Sequence, residues 1–95
     1  MAAYLIATVH ITDPEVFALY AKGIAGVSEK FQGTSIVKGP VAEFLEGDGP
    51  AGERVVVSRF PDAAAAKAYL ASPEYQAARV YRMQSADCTM RLLVD

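Results

Sequence analysis

Hydrophobic and polar positions change their period several times along the chain, and each change marks an element. Ala3 to Ile11 alternates, with Leu5, Ala7, Val9 and Ile11 on one face and Tyr4, Ile6, Thr8 and His10 on the other, as in a β-strand. The first face is wholly apolar and the second is mixed, which places this strand inside a sheet whose far side is partly covered. Beyond it the period lengthens. Asp13-Pro14-Glu15 combines a side-chain cap, a proline at the first helical position and an acid at the positive helix end, and Phe17, Tyr20, Ile24, Val27 and Phe31 follow at helical spacings. This predicts one amphipathic helix ended by Gly33, with Gly23 and Gly26 kept small for close packing on the sheet.

Ser35 to Lys38 reads as a short strand broken by Gly39-Pro40, since proline cannot donate to a sheet ladder, and Val41 to Leu45 resumes it as an edge segment or hairpin arm. Glu46 to Gly52 is dense in turn formers and predicts an exposed loop, without the lysine and following hydroxyl of a phosphate loop. Val55, Val56 and Val57 in succession give Arg54 to Phe60 the composition of a central strand buried on both faces. Asp62, ahead of a run of alanines, starts a helix at about Ala63. Ser72-Pro73-Glu74 starts a second, shorter one, with a bend between them because proline disfavours the helical conformation at the residue before it. Ala86 to Val94 closes the chain as a strand, with Cys88, Met90, Leu92 and Val94 opposite Thr89, Arg91 and Leu93.

The order strand, helix, strand, strand, helix with companion, strand is the βαββαβ plan of a ferredoxin-like α+β sandwich, a four-stranded antiparallel sheet with helices on one face. The 95 residues suit one domain, 1–95, small enough that oligomerisation would help it bury surface. Nine basic residues against eleven acidic ones, with no basic cluster, exclude the electrostatic footprint of nucleic-acid binding. No apolar run approaches the roughly 20 residues that span a bilayer, and the N-terminus lacks a signal-type pattern, so a soluble, cytoplasmic protein with no membrane partner is expected. With Cys88 the only cysteine and His10 the only histidine, neither an internal disulfide nor a zinc-type ligand cluster can form.

Candidate chemistry falls in two constellations. The first strand is expected between the fourth, antiparallel to it, and the third, parallel to it, so that His10, Arg59 and Thr89 share the helix-free face near one end of the sheet. They form either the polar rim of an interface or a ligand or proton-transfer site. Parity puts Cys88 on the opposite, core side, which argues against a nucleophilic pair with His10. Beside this cluster Tyr4, Ile6, Val55, Val57 and Leu93 form an apolar surface that helices cannot cover, and a homodimer through that surface follows. The second constellation is Tyr20, Tyr75 and Arg82: either packing tyrosines or a cleft between helices and sheet in which Arg82 holds an anion. Asp13, Asp62 and Glu74 are caps or first-turn acids. Glu74 is too far along its helix to neutralise Arg82, so that arginine needs a partner from another element or a ligand.

The chain resembles the domain of unknown function 1330 family over nearly its whole length. Asp13-Pro14 with Tyr20 downstream, Gly33 and Gly39, Leu45-Glu46-Gly47, Phe60-Pro61, Ala66, Ser72-Pro73-Glu74-Tyr75 and Arg82 carry the likeness. Tyr69 stands where the family often has tryptophan, and Pro40 and Gly49 where it more often has glycine and a bulky aromatic. The resemblance implies the dimeric α/β-barrel type of ferredoxin-like fold, among whose relatives are cofactor-free monooxygenases and small-molecule-degrading enzymes; fold analogy alone does not assign a reaction. The expected function is binding of a small, partly apolar organic acid in a pocket of a dimeric barrel, with no cofactor. The alternatives are a non-catalytic dimeric interaction module and a cofactor-independent monooxygenase-like or degradative enzyme. A cavity reaching Arg82 or His10 separates the binding reading from the module.

Overall fold

The computed structural model describes every residue from Met1 to Asp95. Its elements are β1 (Ala3–Ile11), α1 (Pro14–Ile24), a 3₁₀ turn (Ser28–Phe31), β2 (Thr34–Pro40), β3 (Arg54–Phe60), α2 (Ala63–Ala71), α3 (Pro73–Ser85) and β4 (Ala86–Val94). The strands form one sheet in the order β2-β3-β1-β4, and each neighbouring pair is antiparallel. This corrects the expected parallel pairing of β1 with β3. The crossover through α1 returns β2 in the direction of β1, and the hairpin that follows must then bring β3 back against both. Alternation holds as expected: Ala3, Leu5, Ala7 and Val9 are buried under the helices, while Tyr4, Ile6, Thr8 and His10 face the other side and are half-buried.

Several local expectations are revised. The first helix stops at Ile24, and Gly26, with φ +75°, turns the chain into the 3₁₀ segment, whose end at Gln32 is also left-handed, φ 64°. The apolar stripe through Phe31 therefore continues on a bent path rather than one rod. Gly23 is indeed a close-packing residue, but against α3: a Cβ there would lie 2.9 Å from that of Ala78. Pro40 ends β2 instead of breaking it, which an edge strand tolerates because the missing N–H points away from the ladder. Val41 to Leu45 is irregular rather than a strand. Finally α3, with 13 residues, is longer than the nine-residue α2, because no helix-breaking residue interrupts it before Ser85.

Ser72 joins the two last helices. Its hydroxyl donates to the Tyr69 carbonyl at 2.7 Å and accepts from the Tyr75 N–H at 3.2 Å, so one buried side chain closes α2 and opens α3. Asp13 and Asp62 cap α1 and α2 through the N–H groups of Val16 and Ala65. Glu74 pairs with Lys30 at 3.4 Å, an exposed contact of small energetic weight. The core gathers Leu5, Tyr20, Val27, Phe60, Ala66, Tyr69, Tyr75 and Ala78 between the helices and the sheet. No helix is long and apolar enough to cross a membrane.

Candidate functional site

The inward face of α3 presents Tyr75, Ala78, Arg82 and Ser85, spaced three and four apart. Contact between Gly23 and Ala78 lets α1 approach closely, which brings Tyr20 over this face. The Tyr20 and Tyr75 rings meet edge to face at 6.4 Å between centroids, and Tyr75 meets Tyr69 in the same way at 5.0 Å. Tyr69 in turn stacks on the fully buried Phe60 at 5.6 Å. The three tyrosines thus form one aromatic wall, and two of them, Tyr20 and Tyr75, pack against a cation.

That cation is Arg82, only 9% exposed. Its guanidinium carbon lies 5.5 Å from the Tyr20 ring centre and 5.7 Å from that of Tyr75, and Nη1 donates a hydrogen bond to the Tyr75 hydroxyl. The Tyr20 hydroxyl lies close beside it as well and favours the charged guanidinium. No carboxylate reaches it; the ion pair in the structure is Lys30 with Glu74. Burial opposes the charge on Arg82, yet the tyrosine hydroxyls outweigh that and hold its pKa above the ordinary arginine value. Burial, reinforced by Tyr75, pushes the Tyr20 hydroxyl well above its usual range and Tyr69 up to about 12. Near neutral pH these two tyrosines keep their protons and act as donors, not bases.

Tyr20, Tyr75 and Arg82 line a cavity of about 490 Å³ between the helices and the sheet. Its floor is Leu5, Ala7 and Val9 of β1 with Val56 of β3 and Met90 of β4, and 13 of the 21 lining residues are hydrophobic, so an occupant must be largely apolar. The volume falls within the roughly 300–1,000 Å³ of small-molecule sites. A second, more open recess lies between α3 and β4 and shares Tyr75, Arg82, Cys88 and Met90 with the first, so Arg82 stands in the wall between the cavity and the protein's exterior.

The other expected cluster does not assemble. His10 and Arg59 both lie on the helix-free face, but Arg59 is in register with Tyr4 while His10 is in register with Asp87, at the opposite end of β1. The antiparallel run of β3 separates them. Thr89 pairs with Thr8 and stays near His10. His10 Nδ1 is buried without a hydrogen-bond partner. Val9, not His10, opposes Cys88, which faces the cavity on the other side of the sheet, so the two cannot form a nucleophilic pair. No three His, Cys, Asp or Glu side chains converge as metal ligands.

Sequence reasoning passed over Lys38, Arg54 and Ser85. Ser85 is fully buried, donates to the Tyr81 carbonyl at 2.6 Å, and its own carbonyl accepts from Thr12 and Asp13 at the end of β1. Lys38 and Arg54 line the cavity. Arg54 could have been found by parity, since it shares the helix-side register of Val56, Ser58 and Phe60. Lys38 could not, because a register shift between Ser35 and Val37 inserts Ile36 and turns Lys38 to the helix side with Ser35.

The profile of the family described as Domain of unknown function (DUF1330) matches residues 2–95. The chain belongs to that family. Among curated proteins, none matches the sequence. The fold of this DUF1330 chain recurs in a protein of unknown function from Rhodopseudomonas palustris, at TM-score 0.83 and 20% identity over 97% of this chain and 80% of the other. A dimeric ferredoxin-like protein of unknown function from a Jannaschia species aligns over the full length of both chains at TM-score 0.76 and 18% identity. SnoaB, a cofactor-independent oxygenase from Streptomyces nogalater, aligns at TM-score 0.70 and 14% identity over 99% of this chain and 92% of its own. These matches show that the chain shares the ferredoxin-like fold, and identities this low do not carry the activities of those proteins.

Proposed function

We propose that the protein is a cytoplasmic homodimer that binds a small, partly apolar organic acid in the cavity between its helices and sheet. One observation carries the reading: a buried arginine without a carboxylate partner lines an apolar cavity of about 490 Å³. Burying a guanidinium is costly unless an anion or strong acceptors compensate it. Tyrosine hydroxyls and ring faces favour the charge without neutralising it, and a ligand carboxylate bound to Arg82, with donors from Tyr20 and Tyr69 nearby, completes the site.

Dimerisation is supported by the helix-free face, where Tyr4, Ile6, Val55 and Val57 are only half-buried by their neighbours and Leu93 and Val37 remain 53% and 59% exposed. The Jannaschia protein of the same fold is described as dimeric. The fold shared with an oxygenase leaves a degradative reaction as the second reading, but two of the cavity's tyrosines are held protonated, which suits recognition of an acid better than abstraction of a proton.

A thermal-shift titration with octanoate and 3-phenylpropionate tests the site. Both should raise the melting temperature of the wild type, and neither should raise that of Arg82→Gln. Equal shifts in the two proteins, or none in either, would remove the basis for an anion site at Arg82.

A further inference from the structure

Arg82 is not the sole cation on the cavity wall. Arg54 opens β3 in register with Val9, and Val9 is in register with Cys88, so Arg54, Val9 and Cys88 cross the sheet in one row on the helix side, all three lining the cavity. Cys88 lies next to Arg82, with which it shares both the cavity and the outer recess. With strands about 4.8 Å apart, Arg54 stands roughly 10 Å across the sheet from the strand beside Arg82. In the adjoining row Lys38 is in register with Val56, and Val56 with Ala7. The β2 bulge has turned Lys38 to this side. The wall therefore carries Lys38, Arg54 and Arg82 against Glu29 as its single acid, three positive charges less one negative, and none of the three cations belongs to an ion pair.

These charges occupy two places separated by an apolar floor of Ala7, Val9 and Val56. We infer that the ligand is a dianion, a molecule with two acidic groups joined by an apolar spacer: one group on Arg82 and Tyr75, the other on Arg54, with Lys38 strengthening the field at that end. A monoacid would satisfy only the first pole. The β2 bulge would then be a specificity device, since without it plain alternation would place Lys38 on the opposite face of the sheet. This inference rests on the binding reading above and adds the ligand's charge and shape.

Calorimetric titration at low salt can compare adipate, suberate and sebacate with hexanoate, octanoate and decanoate. The best-fitting diacid should bind the wild type at least about tenfold more tightly than the monoacid of equal length, the worth of one added charge-assisted contact. Arg54→Gln should bring that diacid to the level of its monoacid, with a much smaller loss for the monoacid itself. Arg54→Lys should keep part of the preference, and Arg82→Gln should weaken both classes. Monoacid binding without any diacid preference, or a preference that survives in Arg54→Gln, would overturn the dianion inference and leave the Arg82 site standing. If no acid of either class binds the wild type, both readings fall together.

Discussion

The two faces of the sheet are made from alternate residues of the same strands, yet one encloses a cavity and the other is a broad, uncovered apolar surface. Under the helices the strands lay down a floor of Leu5, Ala7, Val9, Val56 and Met90, while the aromatic rings come down from above as Tyr20, Tyr69 and Tyr75. The rings pack on one another at 5.0 and 6.4 Å, and a gap remains between them and the sheet. On the opposite face Tyr4, Ile6, Val55, Val57 and Leu93 form a surface that no helix covers. What stands over each face thus decides its character: helices held off the sheet leave a cavity on one side, and their absence leaves an apolar surface on the other.

This contrast can be broken first from the helix side. Phe60 is fully buried beneath Tyr69 and Gly33, and a Cβ on Gly33 would lie 2.7 Å from the Phe60 ring. Phe60→Ala should cost about 3–5 kcal/mol in urea unfolding, because the ring that supports the tyrosine wall is lost and a cavity replaces it. A loss under about 1 kcal/mol would mean that the wall stands without it.

The opposite face is broken by Val57→Asp. In register with Ile6 and Val37, Val57 sits near the centre of the uncovered surface. A carboxylate there should weaken self-association at least about a hundredfold, measured by sedimentation equilibrium, while monoacid binding in the cavity is retained. An unchanged dimer would show that another surface joins the protomers.

A smaller effect is expected at the hinge between α2 and α3. Ser72→Ala removes both hydroxyl bonds and should cost about 1–2 kcal/mol, with faster hydrogen exchange over the first turns of α3. Unaltered exchange there would show that Pro73 alone fixes the start of the helix.

The smallest effect is a pH dependence. Unfolded tyrosine loses its proton near 10, whereas Tyr69 in the fold holds it to about 12 because of burial and then Tyr75. Between these values the unfolded chain has released a proton that the folded chain retains, so the contribution of Tyr69 is complete below pH 10 and declines as pH rises towards 12. Tyrosinate absorbance in the folded protein should contain a late phase from Tyr20 and Tyr69, above the range of tyrosine in the unfolded chain. The absence of any such late phase would place both rings in contact with water.

Much of this was legible in the sequence because it depends on local rules. β1 and β4 follow from alternation, β3 from its run of three valines, and the three helix starts from Asp13, Asp62 and Ser72, each of which caps as its side-chain chemistry requires. The grouping of Tyr20, Tyr75 and Arg82 was legible too, since helical spacing puts them on inward faces. What could not be read depends on register between distant segments. The position of Arg59 relative to His10 turns on the direction of β3, and the direction of Lys38 on one inserted residue, Ile36, which nothing in Ser35 to Pro40 announces. The end of α1 was missed for another reason: Gly26 adopts a left-handed conformation, whereas a glycine inside an apolar stripe looks the same whether it packs or turns.

The most direct test of the central claim is a crystal structure with 4-bromophenylacetate, whose bromine is located by anomalous scattering. The account predicts a bromine peak above Ala7 and Val56 inside the cavity, with the carboxylate on Arg82 and the Tyr75 hydroxyl. A peak confined to the helix-free face, or an Arg82 satisfied by backbone carbonyls over a closed gap, would contradict it.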